Sequence, residues 1–152
     1  MPDLDVDFPL IEQVSSALDL REPNELALKS IAMAEARHFQ QAGRPAPFEG
    51  VADVATGVGK TYVMAGAIEY YAARGHRHFA VVAPGNTILE KTIRNFSPGD
   101  PKSLLPGMAV RPVIITSENF DNPSTASAMD DVDTVKLYIF TVQSLLKPTT
   151  NA

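Results

Sequence analysis

Cysteine is absent from the 152 residues. That excludes disulfide staples and thiolate metal sites, and it fits a cytoplasmic protein. Long apolar runs are absent too. None approaches the roughly 18 residues of a transmembrane helix, so no membrane partner is expected. The opening Met1-Pro2-Asp3-Leu4-Asp5-Val6-Asp7 is acidic, the opposite of a secretory leader. An excess of positive charge is lacking as well: 13 Lys and Arg stand against 18 Asp and Glu, for a formal net charge of −5. A domain of that sign must confine any phosphate binding to a local patch, so nucleic-acid contacts have to be argued from motifs. The three histidines, His38, His76 and His78, form no metal-ligand spacing with nearby carboxylates, and His76 and His78 read as solvated. There are no internal repeats.

What is present is a globular composition, 45% hydrophobic and 20% charged, of a size for one domain or a piece of a larger one. The chain is organised around Asp53-Val54-Ala55-Thr56-Gly57-Val58-Gly59-Lys60-Thr61. This stretch reads as a turn from a buried strand, Phe48 to Val54, into a helix, Tyr62 to Arg74. Glycines at such a turn let backbone N–H groups close around phosphates at a helix N-terminus, where the helix dipole also favours an anion. Thr56, Gly57, Val58 and Gly59 are thus candidates to cradle the β-phosphate of a nucleotide. Lys60 would reach the β- and γ-phosphates, and the Thr61 hydroxyl would ligate Mg²⁺. The strict pattern G-x-x-x-x-G-K-[ST] is missed at one position, where Val54 replaces the first glycine.

Punctuation and periodicity order the rest. Residues 1–8 read as an acidic arm and Pro9 to Leu18 as a helix with Leu10, Ile11, Val14, Ala17 and Leu18 on one face. Asn24 reads as the N-cap of a helix reaching Gln41, with a stripe of Leu26, Leu28, Ile31, Ala32, Ala34, Glu35 and Phe39. The Tyr62–Arg74 helix should bury Val63, Met64, Ala67, Ile68 and Tyr71 and close at Gly75. Phe79 to Ala83 is a continuous apolar run, the mark of a strand buried on both faces. Pro84-Gly85-Asn86 ends it, and Thr87 to Asn95 is a further helix. Ser97 to Gly107 is a connector, Val113 to Thr116 a strand, Asp121 to Asp133 a polar surface loop, and Val135 to Val142 another strand. Alternating strands and helices predict an α/β fold with a parallel sheet and right-handed crossovers.

A nucleotide hydrolase of this type also needs an apolar strand ending in Asp, often Asp-Glu, to hold Mg²⁺ and orient water. No stretch supplies one. Asp130, Asp131 and Asp133 precede a strand and read as a solvated loop. Glu118 follows a strand, but Asn119 and Phe120 do not continue the motif. No catalytic residue is therefore assigned.

Val51 to Phe96 resembles the first motor domain of superfamily 2 helicases and translocases of DEAD/DEAH type. The similarity is closest to the Res (restriction) subunit of type III restriction enzymes. In that group the phosphate loop reads Ala-Thr-Gly-x-Gly-Lys-Thr, as Ala55 to Thr61 does, and the preceding position need not be glycine. The resemblance runs from about Leu20 to Leu146. It implies a P-loop NTPase (RecA-like) fold, a parallel sheet with flanking helices, in which ATP binding and hydrolysis drive movement along DNA. Residues 1–19 would be an arm and helix, and 20–152 the N-terminal part of the ATP-binding domain. Leu20-Arg21-Glu22-Pro23-Asn24-Glu25 resembles the upstream element in which a glutamine reads adenine; Asn24 stands there, one methylene shorter. Pro84, Gly85 and Thr87 match a motif that touches a nucleic-acid strand. In Phe140-Thr141-Val142-Gln143-Ser144-Leu145, similar to a motif that precedes the Asp-Glu element, Thr141 and Gln143 would face that strand.

In that family the phosphate-loop strand is central, with neighbours drawn from chain beyond the Asp-Glu motif. The expectation is an incomplete sheet, an N-terminal fragment or one half of a split motor completed by a partner chain. A non-hydrolysing nucleotide-binding or interaction module is the alternative. A small-molecule kinase would need clustered basic residues in a lid, and Lys91, Arg94, Lys102 and Arg111 are too scattered in sequence to suggest one.

Overall fold

A computed structural model describes residues 4–41, 43, 46–54 and 59–146. The chain divides into two compact units, Met1–Tyr70 and Tyr71–Ala152.

The first unit is helical. Helix α1 (Phe8–Ala17) starts where the Asp7 carboxylate accepts the Leu10 N–H at 3.0 Å, with Pro9 in the first turn. Helix α2 (Glu22–Gln40) begins one turn earlier than expected, with Arg21 and not Asn24 at its N-cap. Pro23, which has no N–H to orphan, suits the first turn and moves the start back. Asn24 and Glu25 instead donate their N–H groups to the Arg21 carbonyl, at 2.9 and 3.0 Å. The buried row is Asn24, Leu28, Ala32 and Ala36, a strict i, i+4 ridge, while Leu26 and Phe39 from the expected stripe are about half exposed. The first part of helix α3 (Lys60–Ala73) packs on both others through Gly66. A Cβ there would lie 3.1 Å from Leu28 Cδ2 and 3.5 Å from Leu20 Cδ1. Ile11, Val14, Leu18, Leu28, Val63, Ala65 and Ile68 form the apolar interior. Of the face expected on α3, Val63 and Ile68 are buried, whereas Met64, Ala67 and Tyr71 are half-buried.

The expected strand Phe48–Val54 does not form; the segment is coil, and Val51 is 99% exposed. The reason is pairing. No strand of the described residues lies beside it, and extended chain becomes a strand only when its N–H and C=O groups meet a neighbour's. It is tethered at its start, where the His38 ring bonds the Ala46 carbonyl at 2.9 Å and lies 5.7 Å from the Phe48 ring.

The second unit carries the sheet. Strands β1 (His78–Ala83), β2 (Val113–Ile115) and β3 (Lys136–Thr141) are all parallel, in the order β1-β3-β2. The central strand β3 holds Leu137 and Ile139 fully buried. β1 was expected to be covered on both faces but is an edge strand with alternating exposure, and Val82 is 49% exposed. Helix α4 (Asn86–Asn95) packs on β1 and β3, and Phe96 at its end is fully buried. The stretch expected as a loop between Asp121 and Asp133 contains helix α5 (Pro123–Asp130). Its composition is loop-like, but Pro123 at the first turn and the alanines that follow favour a short helix. Helix α6 (Val142–Leu146) follows β3 directly. Among the described residues no helix is long and apolar enough to cross a membrane.

Candidate functional site

The stretch expected to be a phosphate turn falls in the first unit. Thr56, Gly57 and Val58 lie outside the described residues; Gly59, Lys60 and Thr61 lie within them. Gly59 has φ +83°, the left-handed region that a side chain strains to enter. A Cβ on it would lie 3.0 Å from Tyr62 Cδ2 and 3.3 Å from the Asn24 side-chain nitrogen. Its carbonyl accepts the Tyr62 N–H at 2.9 Å, which closes the first turn of α3. Lys60 is exposed and Thr61 half-buried, both at the N-terminus of that helix. A bare glycine, an exposed cation and a hydroxyl at a helix start are groups that suit a phosphate and its Mg²⁺.

Asn24 is only 2% exposed, and its Oδ1 has no hydrogen-bond partner among the described residues. The resemblance puts Asn24 near a nucleotide, but does not foresee its close approach to Gly59. The i, i+4 ridge of α2 carries it there.

The proposed nucleic-acid residues gather in the second unit at one edge of the sheet. β1 and β3 pair in register from His78↔Lys136 to Ala83↔Thr141, so both strands end at the same level. Pro84, Gly85 and Thr87 leave the end of β1, with Thr87 in the first turn of α4; Thr141 and Gln143 leave the end of β3. Residues far apart in sequence are thereby neighbours at the C-terminal edge, where open parallel sheets hold ligands. Thr141 is 4% exposed, and its hydroxyl meets the Ser144 hydroxyl at 2.8 Å and accepts the Ser144 N–H at 3.1 Å. It caps α6 and leaves Gln143 exposed on that helix.

The acidic residues weighed for catalysis, Glu118, Asp130, Asp131 and Asp133, lie in the second unit. None of the three strands ends in an acid. Glu118 is exposed in the turn after β2. Asp131 is tied into its own turn, accepting the Asp133 N–H at 3.0 Å and the Thr134 hydroxyl at 2.8 Å. Those bonds hold its carboxyl below the usual range, the Asp133 N–H contributing most. Its carbonyl takes the ammonium of Lys136, a lysine only 1% exposed. Among the described residues no three His, Asp or Glu side chains are grouped to hold a metal.

One cluster departs from the sequence reading. Lys91, Arg94 and Lys102, expected to be scattered, line a single pocket of about 220 Å³ with Thr87 and Glu90. Arg111 does not join them; its guanidinium donates to the Leu105 carbonyl. The spacing of Thr87, Lys91 and Arg94 along one helix face was a legible signal. The arrival of Lys102 from the connector was not.

Residues 17–152 match the family described as type III restriction enzyme, res subunit. The chain belongs to the type III restriction enzyme Res-subunit family. It is thus a Res-type, helicase-like domain of P-loop NTPase class, and its parallel sheet with flanking helices is the α/β architecture expected of one. The probable type III restriction-modification enzyme HindVIP Res subunit of Haemophilus influenzae is 47% identical over 45 residues, which are 30% of this chain and 9% of that protein. The match thus spans under a tenth of that relative's length. No solved structure matches the chain.

Proposed function

We propose that this Res-family chain is the ATP-binding part of an ATP-dependent DNA translocase or helicase. The observation that carries the reading is the start of α3, where left-handed Gly59 precedes exposed Lys60 and half-buried Thr61. In it, the backbone of Thr56 to Gly59 cradles the β-phosphate, Lys60 neutralises the β- and γ-phosphates, and Thr61 ligates Mg²⁺. Asn24 serves the same site, on the adenine side. Pro84, Gly85, Thr87 and Gln143 meet a DNA strand at the sheet edge, with Thr141 placing Gln143. Residues 20–152 form the nucleotide domain and residues 1–19 an arm and helix before it. The working place of such a protein is the cytoplasm. Lys60→Ala is expected to weaken a fluorescent ATP analogue more than tenfold; unchanged affinity would rule out the assigned role.

A second reading has one observation in its favour: among the described residues no strand ends on an acid that could orient water. On it the chain binds ATP and does not cleave it, as a nucleotide-dependent interaction module or one half of a split motor. The unpaired segment 48–54 supports completion by strands of a partner chain. ATP binding without phosphate release, with and without DNA, favours this reading; turnover by the 152-residue chain refutes it.

A further inference from the structure

The pocket between α4 and the following connector has no assigned role. Thr87, Glu90, Lys91 and Arg94 supply one wall from successive turns of α4, and Lys102 supplies the other. The wall from the connector is built, not accidental. Asp100 Oδ2 accepts Arg94 Nε at 3.0 Å, while its Oδ1 accepts the Lys102 N–H at 2.8 Å. One carboxylate therefore fixes the backbone of Lys102 beside the Arg94 guanidinium. Both bonds, the Lys102 N–H first, hold the Asp100 carboxyl below its usual range. The connector is anchored again where Leu104 N–H meets the Asn95 carbonyl at 2.7 Å. The pair with Asp100 is through Nε, and the Arg94 side chain is 53% exposed, so among the described residues its terminal nitrogens face solvent that a ligand could occupy.

Charge and size define what fits. Three cations face the pocket against Glu90 and the already engaged Asp100, a local excess of positive charge in a chain of net charge −5. At about 220 Å³ the space is smaller than the roughly 300–1,000 Å³ of pockets that enclose a drug-sized molecule. It suits a single phosphate group and not a whole nucleotide. It also shares Thr87, in the first turn of α4, with the sheet-edge residues proposed to meet DNA, so it adjoins that contact.

The geometry points to this pocket as a second contact for a DNA strand, in which Lys91, Arg94 and Lys102 hold a backbone phosphate beyond the sheet-edge loops. The proposal rests on the reading that the chain engages DNA. It adds residues that no motif covers and gives the contact a sequence-independent, electrostatic character.

The test measures binding of the 152-residue chain to a fluorescent single-stranded oligonucleotide across a range of NaCl. Each phosphate contact contributes about 0.7 to the slope of log K against log salt for single strands. K91Q/K102Q should therefore lower the slope by about 1.4 and weaken binding about 25-fold at 0.1 M salt. Oligo-dT and a mixed sequence should be affected alike. K29Q/R37Q, which removes the same charge from α2, should leave the slope unchanged. If the unaltered chain does not bind DNA, the DNA reading fails and this proposal with it. If it binds and K91Q/K102Q keeps its affinity and slope, the reading stands and the pocket is overturned. An equal loss in K29Q/R37Q, or a loss of ATP-analogue binding with DNA binding kept, also overturns it.

Discussion

The segment Phe48–Val54 and the strand β3 both read as strands between breaks, the first carrying Glu49, Gly50 and Asp53 and the second apolar through Leu137 to Phe140. They end in opposite states. β3 has a parallel neighbour on each side and buries Leu137 and Ile139 completely; the 48–54 segment pairs with no strand among the described residues and leaves Val51 99% exposed. Composition separates the two in part, and the rest of the difference lies in the neighbours that only β3 has. A strand is a relation between segments, and an apolar run acquires it only where another backbone supplies complementary donors and acceptors.

Hydrogen exchange gives the largest contrast. The inner amides of β3 should open only with global unfolding, while those of residues 49–54 exchange near the free-chain rate. Slow exchange at 49–54 in the isolated chain would break the comparison. Next in size is Leu137→Ala, which should lower stability by about 2–5 kcal/mol in denaturant unfolding. A loss under about 1 kcal/mol would mean that the centre of the sheet is not the core. Thr141→Val keeps the shape but removes the cap of α6, and a cost of about 1 kcal/mol is expected. Val51→Ser should stay within about 0.5 kcal/mol of the parent. The smallest effect concerns Asp100. Its folded pKa lies below the ordinary 3.8, so its contribution to holding the connector is complete above 3.8 and fades as pH falls through the lowered value. An NMR titration of the Lys102 amide should follow that fall, and a Lys102 shift centred at or above 3.8 would sever it from Asp100.

Much of this was legible from residues alone, and the exceptions share a cause. Gly75, expected to close α3, does so at φ +106°, with its N–H on the Ala72 carbonyl and the His76 N–H on Tyr71. β2, β3 and α4 fall where periodicity and proline placed them, because their signals are local. What escaped the sequence is non-local or competitive. The 48–54 run needed a neighbour that adjacent residues cannot disclose. β1 carries the apolar pattern of a covered strand yet sits at an edge, since strand order is a property of the sheet. α5 was hidden by Asn, Ser, Thr and Asp, which favour turns until Pro123 sets the first turn of a helix. Asn24 could cap a helix by type, but Pro23 moved the start and left it buried on Gly59. For the site, the Gly59-Lys60-Thr61 turn was evident, whereas the basic pocket depends on Asp100 bringing Lys102 back to α4.

The in-register pairing of β1 with β3 also bears on how such a chain can change over generations. Because Ala83 stands opposite Thr141, the two strand-end loops keep their common level whatever happens in the long excursion between the strands. Residues can be gained or lost there without shifting one loop against the other, so long as the ladder stays aligned. A slip of a single position in that ladder would do what a large insertion does not, turning every side chain of β3 to the opposite face. The alignment of two short strands, more than the length of the path joining them, is where this half of the molecule is least free to drift.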